Sequence, residues 1–293
     1  MSYFSRLNKA YKGALRLPLC TSSKYVIFSD CHRGTGTSND NFLPNQTLYI
    51  AALRHYYNTG YTYIENGDGD ELWENRRMES IIEIHSDIFK LLSLFHASNR
   101  LYMIFGNHDI TKKCKTYTAK YYSSYPHCCS NNPHLCGNPL MPEITFYEGI
   151  LFPSKNILIT HGHQADIFNS TLWWLSRFLV RYLWKPLEHF GILDPTSAAK
   201  NYHRKKKTEK RLQRFAKQKK LFIIAGHTHR PYLSQTDLHY CNSGSCVHPY
   251  SITCLEIDHM NISLIKWSLD ADSNHHLFVN REVLFNLPLQ TLS

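Results

Sequence analysis

Five short polar signatures stand in order along the chain: Asp30-Cys31-His32, Gly67-Asp68, Gly106-Asn107-His108-Asp109, His161-Gly162-His163 and Gly226-His227-Thr228-His229. Each follows a β-like apolar run, at Tyr25 to Ser29, Tyr61 to Glu65, Leu101 to Phe105, Ile157 to Thr160 and Leu221 to Ala225. Carboxylate, imidazole and carboxamide groups suit borderline divalent metals, whereas thiolate-rich sets favour zinc or copper(I). Strands that carry such groups just beyond their ends are how an α/β enzyme builds a metal centre at one edge of its sheet. Two divalent ions a few ångströms apart repel strongly, so a group shared between them must be anionic, and a carboxylate does this well. The pattern points to a dinuclear centre suited to phosphoester hydrolysis.

Taken one at a time, these residues have plainer uses. Asp30 and Asp68 could form turns, Asn107 could cap a helix, and any single histidine could be a satisfied core or surface group. Those uses do not explain why every candidate falls at a strand end. Gly106 and Gly226 fit tight turns that leave the strands and aim the ligands.

The elements between the signatures decide whether they can meet. Apolar periodicity predicts helices over about Leu43 to Asn58, ended by Gly60, and over Arg76 to Ser98, with a stripe at Ile81, Ile84, Ile88, Leu91, Leu92 and Phe95. The order is β-α-β-α-β, and right-handed crossovers make such strands parallel with their carboxyl ends on one side. An irregular excursion from Cys114 to Pro142 allows one helix, Tyr117 to Tyr125, and a strand-like run follows at Ile144 to Tyr147. Residues 164–220 read as an inserted, mostly helical cap. Alternation over Ser251 to Ile257 and Ile262 to Trp267 predicts antiparallel strands of a second sheet. A single domain over 1–293 with that cap inside it is the expected organisation.

With these motifs in place, the chain resembles the calcineurin-like metallophosphoesterases, whose five motifs span nearly the whole catalytic core. The resemblance implies a β-sandwich flanked by helices. It implies two divalent ions, manganese first, with iron, zinc or cobalt as alternatives. By motif, Asp30, His32, Asp68 and His229 resemble the ligands of one ion, and Asp68, Asn107, His161 and His227 those of the other, with Asp68 bridging. His108 resembles the catalytic histidine that contacts the phosphoryl group, and Asp109 its orienting partner. Glu71 stands where many members have Asp. Two such ions would neutralise phosphate oxygens and acidify the attacking water.

The segment from Ser170 to Leu193 holds Trp173, Trp174, Phe178 and Trp184, with Arg177, Arg181 and Lys185 every four residues. Pro186 and the charges argue against a membrane span, which needs about 20 mostly apolar residues. The segment is either a helical hairpin packed on the core or a groove for an acyl chain or an interfacial helix, with Arg33, Trp173, Trp174, Arg177, Phe178 and Arg181 expected to touch substrate. Its position, together with His161 to Asp166 and Asn242 to Ser245, resembles the UDP-2,3-diacylglucosamine diphosphatase branch, in which a nucleotide-bound glycolipid is cut at a membrane surface. His163 departs from the His-Gly-Asp usual there.

The chain has 293 residues and a formal charge of +10. Eleven of its 33 basic residues, against one of its 23 acidic ones (Glu209), lie between Lys200 and Lys220, so the remainder balances. A localised basic run is a partner-facing device or a solvated helix. An anionic membrane surface is the expected partner, beside the phosphate-bearing, lipid-linked substrate. Nucleic acid is the alternative, as substrate of a nuclease or as ligand of a non-catalytic module; a soluble nucleotide phosphodiesterase or phosphatase is the other enzymatic reading. The amino-terminal Met1 to Leu19 reads as a short amphipathic helix and not a secretory signal. Nine scattered cysteines then suit a reducing cytoplasm, peripheral to the inner membrane face. Cys128, Cys129 and Cys136, near His127 and His134, are either ordinary loop thiols or a structural zinc site.

Overall fold

The computed structural model describes residues 1–37, 40–126, 133–184 and 202–292. The chain opens with α1 (Tyr3–Lys12), β1 (Leu15–Arg16), β2 (Tyr25–Phe28), α2 (Gln46–Asn58) and β3 (Thr62–Asn66). Next come α3 (Met78–Ile84), α4 (Ser86–Ala97), β4 (Leu101–Ile104), α5 (Lys115–Tyr122), β5 (Phe146–Tyr147), β6 (Ile150–Phe152) and β7 (Ile157–Ile159). Short helices α6 (Ile167–Ser170) and α7 (Trp173–Leu179) precede a π-helical turn, Val180–Trp184. The rest is α8 (Tyr202–Lys219), β8 (Phe222–Ala225), β9 (Tyr240–Asn242), β10 (Ser251–Asp258), β11 (Asn261–Ala271) and β12 (Leu277–Pro288).

Two sheets stack face to face. One has the order β12-β11-β10-β2-β3-β4-β5 and the other β1-β6-β7-β8-β9. Alternation along each strand sorts the side chains into layers. Ile27, Ile64, Ile104 and Leu255 meet Ile157, Ile159, Phe222 and Ile224 between the sheets. Val26, Phe28, Tyr63 and Met103 point outward to a core shared with Leu53, Phe89 and Leu92 of the flanking helices. Leu158, Ile223 and Ala225 cover the opposite face with Leu7 of α1 and Leu212 and Phe215 of α8. The result is an α/β sandwich flanked by helices, as expected.

Strands β2, β3 and β4 run parallel, as do β7 and β8. Each parallel set delivers its signatures at its carboxyl ends. The tail differs from expectation: β10 pairs antiparallel with β2 and extends the first sheet. Alternation reports which faces of a strand are buried, not which strand it pairs with. The long helix expected over residues 76–98 is two helices, broken at His85, whose buried ring contacts Gln46 through Nδ1 (2.8 Å) and Asp40 through Nε2 (3.1 Å). The expected cap is divided as well. The α8 part packs Leu212, Phe215 and Ala216 on the second sheet as the crossover between parallel β7 and β8. Lys185, Pro186, Cys128 and Cys129 lie outside the described residues. Among the described residues, no helix is long and apolar enough to cross a membrane.

Candidate metal centre

The turns leaving β2, β3, β4, β7 and β8 converge between the two sheets. Asp30, His32, Asp68, His227 and His229 all take left-handed backbone conformations, with φ from 50° to 65°. Non-glycine residues are held there only when surroundings over-determine them. The hydrogen bonds supply that. Asp30 Oδ2 accepts from His227 N–H (2.9 Å), and Asp68 Oδ1 accepts from His108 N–H (2.8 Å). Gly106 must lack a side chain, since a Cβ there would lie 2.1 Å from Asp68 Oδ1.

Three sets of ligand-type atoms gather within 4.8 Å: Asp30 with His32 and His229, Asp68 with His161 and His227, and His32 with Glu71 and His108. The donor arrangement tests whether the first two fit cations. His161 Nδ1 donates to the Asn66 carbonyl (2.9 Å), so in the neutral ring Nε2 holds a lone pair, and it sits 3.0 Å from Asp68 Oδ2. Two acceptors so close need a proton or a cation between them. His32 Nδ1 likewise donates to Glu71 Oε2 (2.8 Å), leaving Nε2 at 3.3 Å from His229 Nε2. His229 Nε2 is in turn 3.0 Å from Asp30 Oδ1. Asp30 Oδ1, His161 Nε2 and both carboxamide atoms of Asn107 are buried without hydrogen-bond partners. Buried polar atoms are ordinarily satisfied, so this group of orphans fits bound cations.

Electrostatics agree. Burial alone would raise the carboxyl of Asp68, but His161 and His108 hold it well below the usual carboxylate range. Burial would lower His161, yet Asp68 and Asp30 push it up to about 9. His32, against the same burial, is pushed up to about 10 by Glu71, Asp68 and Asp30. Three buried carboxylates demand positive charge, which the protein itself can offer only as protons on histidines. His229 is the exception, lowered by burial to about 4 despite Asp30, and so presents a neutral ring.

Two expected roles are corrected. Asp109 does not hold the His108 imidazole. Its carboxylate accepts from Gly106 N–H (2.7 Å), Gly69 N–H (3.1 Å) and Lys112 Nζ (2.7 Å), fixing the two turns around Asp68. Glu71 takes the imidazole instead, with Oε1 and Oε2 at 2.9 and 2.8 Å from His108 Nδ1, while Oε2 also holds His32 Nδ1 at 2.8 Å. The extra methylene of Glu lets one carboxylate serve two rings. Trp73 stacks on His108 with 4.1 Å between centroids. Arg33, expected to touch substrate, is fully buried. Its guanidinium pairs with both oxygens of Glu65 (2.8 and 2.9 Å) and with Asp70 (2.6 Å), so no ligand reaches it.

The remaining expected contacts lie on the rim. Arg181 donates from Nε and Nη2 to the carbonyls of Trp73 (2.7 Å) and Leu72 (2.8 Å), tying the 173–184 segment beside Glu71. Trp174, Phe178 and Tyr182 are more than half exposed at four-residue intervals. Arg177 is half-buried. Trp173, also half-buried, borders an open cavity of about 620 Å³ with Ile110, Thr111, Tyr117, Tyr121 and Lys120. Sequence reasoning missed Glu71 and Trp73, although Glu71 stood out as a departure within its motif.

A family model described as calcineurin-like phosphoesterase matches residues 23–231, most of the chain and all five signatures. The chain belongs to this family. It carries the family's metal-dependent phosphoesterase type of site, with clusters able to hold divalent ions. Comparison with curated proteins returns no match. Among solved structures, similarity extends to vacuolar protein sorting 29 from Cryptosporidium parvum, at 12% identity and TM-score 0.39, covering 89% of this chain and 97% of that one. A mutant of a cold-active protein tyrosine phosphatase gives 14% and 0.40, covering 93% and 82%, and Chaetomium thermophilum Vps29 gives 10% and 0.40, covering 91% and 99%. At such scores these likenesses bear on nothing further.

Proposed function

We propose that this calcineurin-like phosphoesterase hydrolyses a phosphoester or pyrophosphate bond in an amphiphilic substrate, such as a nucleotide-linked glycolipid. The observation that carries the chemistry is the set of buried acceptors facing one another, His161 Nε2 and Asp68 Oδ2 at 3.0 Å above all. Asp30, His32, Asp68, Asn107, His161, His227 and His229 would hold two divalent ions, manganese first. Bound there, the ions would offset phosphoryl charge and acidify the attacking water. His108 does the proton work. Glu71 accepts its Nδ1–H and, with Asp68, keeps the ring's affinity for a proton raised against the pull of burial. Nε2 is then the atom left to protonate the leaving oxygen. Trp73 covers one face of that ring and keeps water off it.

Support for an apolar substrate portion comes from the cavity that begins one residue after Asp109, within the rough 300–1,000 Å³ range of small-molecule sites. Trp174, Phe178 and Tyr182 add exposed aromatic surface on the segment that also carries Trp173. Lys206, Lys210, Arg214 and Lys217 form an exposed stripe on α8, which suits an anionic membrane, at the cytoplasmic face. A metal-supplemented hydrolysis panel tests the reading with an aryl phosphodiester, cyclic nucleotides, single-stranded DNA and a UDP-linked glycolipid. Preference for the glycolipid supports it. Turnover of DNA or cyclic nucleotides with no glycolipid cleavage overturns the amphiphile and favours the nuclease or soluble-nucleotide alternative.

A further inference from the structure

Glu209 is the one acid in the basic run from Lys200 to Lys220, and it does not face solvent. Its Oε1 accepts from the Thr228 hydroxyl (3.1 Å) and from Arg230 Nε (3.1 Å), and its Oε2 from Arg230 Nη2 (2.7 Å). Thr228 is fully buried between His227 and His229, both in left-handed backbone conformations at φ 65° and 54°. That loop is braced from the other side too. Asn242 Nδ2 donates to the Gly226 carbonyl (2.7 Å) and to Thr228 Oγ1 (3.2 Å), while His248 Nε2 donates to the His229 carbonyl (2.7 Å). Because Thr228 Oγ1 accepts from Asn242, its own proton is free to run outward, and Glu209 Oε1 is the carboxylate placed to accept it.

The helix that carries Glu209 touches a second ligand loop. Arg211, half a turn on, donates from Nη1 to the Ala165 carbonyl (2.7 Å), just after His161-Gly162-His163. Leu212 and Phe215 anchor the same helix in the core against β7 and β8. One rigid element thus abuts both loops that leave the second sheet.

We propose that Glu209 is a positioning residue: through the Thr228 hydroxyl it fixes the loop that aims His227 and His229 at the metal centre, while its pair with Arg230 serves stability. This rests on the reading of those histidines as ligands, and the test separates the two. Cobalt(II) alone is titrated into metal-free protein and followed by its visible absorption, with no turnover involved. Wild type should take two ions; if it does not, the ligand reading fails before Glu209 is tested. Glu209→Ala should weaken cobalt binding about 10–100-fold, the scale for losing a partner behind a metal ligand. Glu209→Gln, which keeps an acceptor for Thr228, should recover most of it. Arg230→Gln, which removes the ion pair and spares the hydroxyl bond, should lower Tm more than it lowers affinity. If Glu209→Ala does not fold, Thr228→Val should still weaken binding while leaving the ion pair in place. Cobalt affinity within twofold of wild type in Glu209→Ala or Thr228→Val overturns the proposal. So does a Glu209→Gln affinity no better than that of Glu209→Ala.

Discussion

The two walls of the site are held by opposite means. On the core side, Arg33, Glu65, Asp70, Lys112 and Asp109 are buried and joined by ion pairs of 2.6–2.8 Å, and the turns that carry Asp68, Asn107 and His227 rest on this frame or on Asp30 and Asn242. On the helix side, Trp174, Phe178 and Tyr182 stand more than half exposed, and the segment is pinned by Arg181 on two backbone carbonyls. A buried charge without its partner is expensive, so the first wall tolerates little change. An exposed aromatic has few contacts to lose, so the second wall can vary with the substrate. On the proposed function, chemistry belongs to the rigid wall and selectivity to the open one.

The comparison breaks first at Arg33. Arg33→Met should destabilise the fold by about 3–5 kcal/mol, because Glu65 would be left buried without its cation while Asp70 kept Lys112 alone. Chemical denaturation measures this; a raised KM at unchanged stability would return Arg33 to the substrate. Next comes His108. His108→Ala should retain its metals and lose about 10²-fold in kcat, the scale of one general acid. Loss of both ions instead would make it a ligand.

Glu71→Gln sharpens the same wall. Its carboxylate holds two rings, so about 10-fold or more should be lost in activity, by analogy with partners behind metal ligands. Asp109→Asn should act mainly on Tm, since its partners are two backbone amides and Lys112. The smallest effect belongs to the open wall. Replacing Trp174 and Phe178 with Ser should leave Tm nearly unchanged and raise KM for an acylated substrate only, each large side chain fully buried by ligand being worth roughly 1.5–3 kcal/mol. Trp173, packed against the core, should instead lower Tm when changed to Ser. Equal losses on acylated and small soluble esters would make the whole segment a packing element.

What could be read in advance follows the same division. The clustering of carboxylates and imidazoles was legible because a strand followed by Asp, His or Asn repeats five times, and the parallel order follows from β-α-β connectivity. Partners were not. Asp109 adjoins His108 in sequence, yet its side chain turns to Gly69, Gly106 and Lys112, while Glu71 arrives from another strand end. Arg33 looks like a substrate contact until its burial against Glu65 is known. A basic helix reads as a surface device, although Leu212 and Phe215 make half of it core and Glu209 faces inward. Such facts live in tertiary contacts that no local pattern encodes.

The central claim is that Asp68 sits between two cations. Metal-free wild type and Asp68→Ala, each titrated with manganese and assayed for bound metal and phosphodiester hydrolysis, test it most directly. Wild type should hold two ions per chain, with activity returning as they bind. Asp68→Ala should hold less than one tightly and lose at least about 10²-fold in turnover. Two tightly bound ions and near-normal hydrolysis in Asp68→Ala would contradict the account.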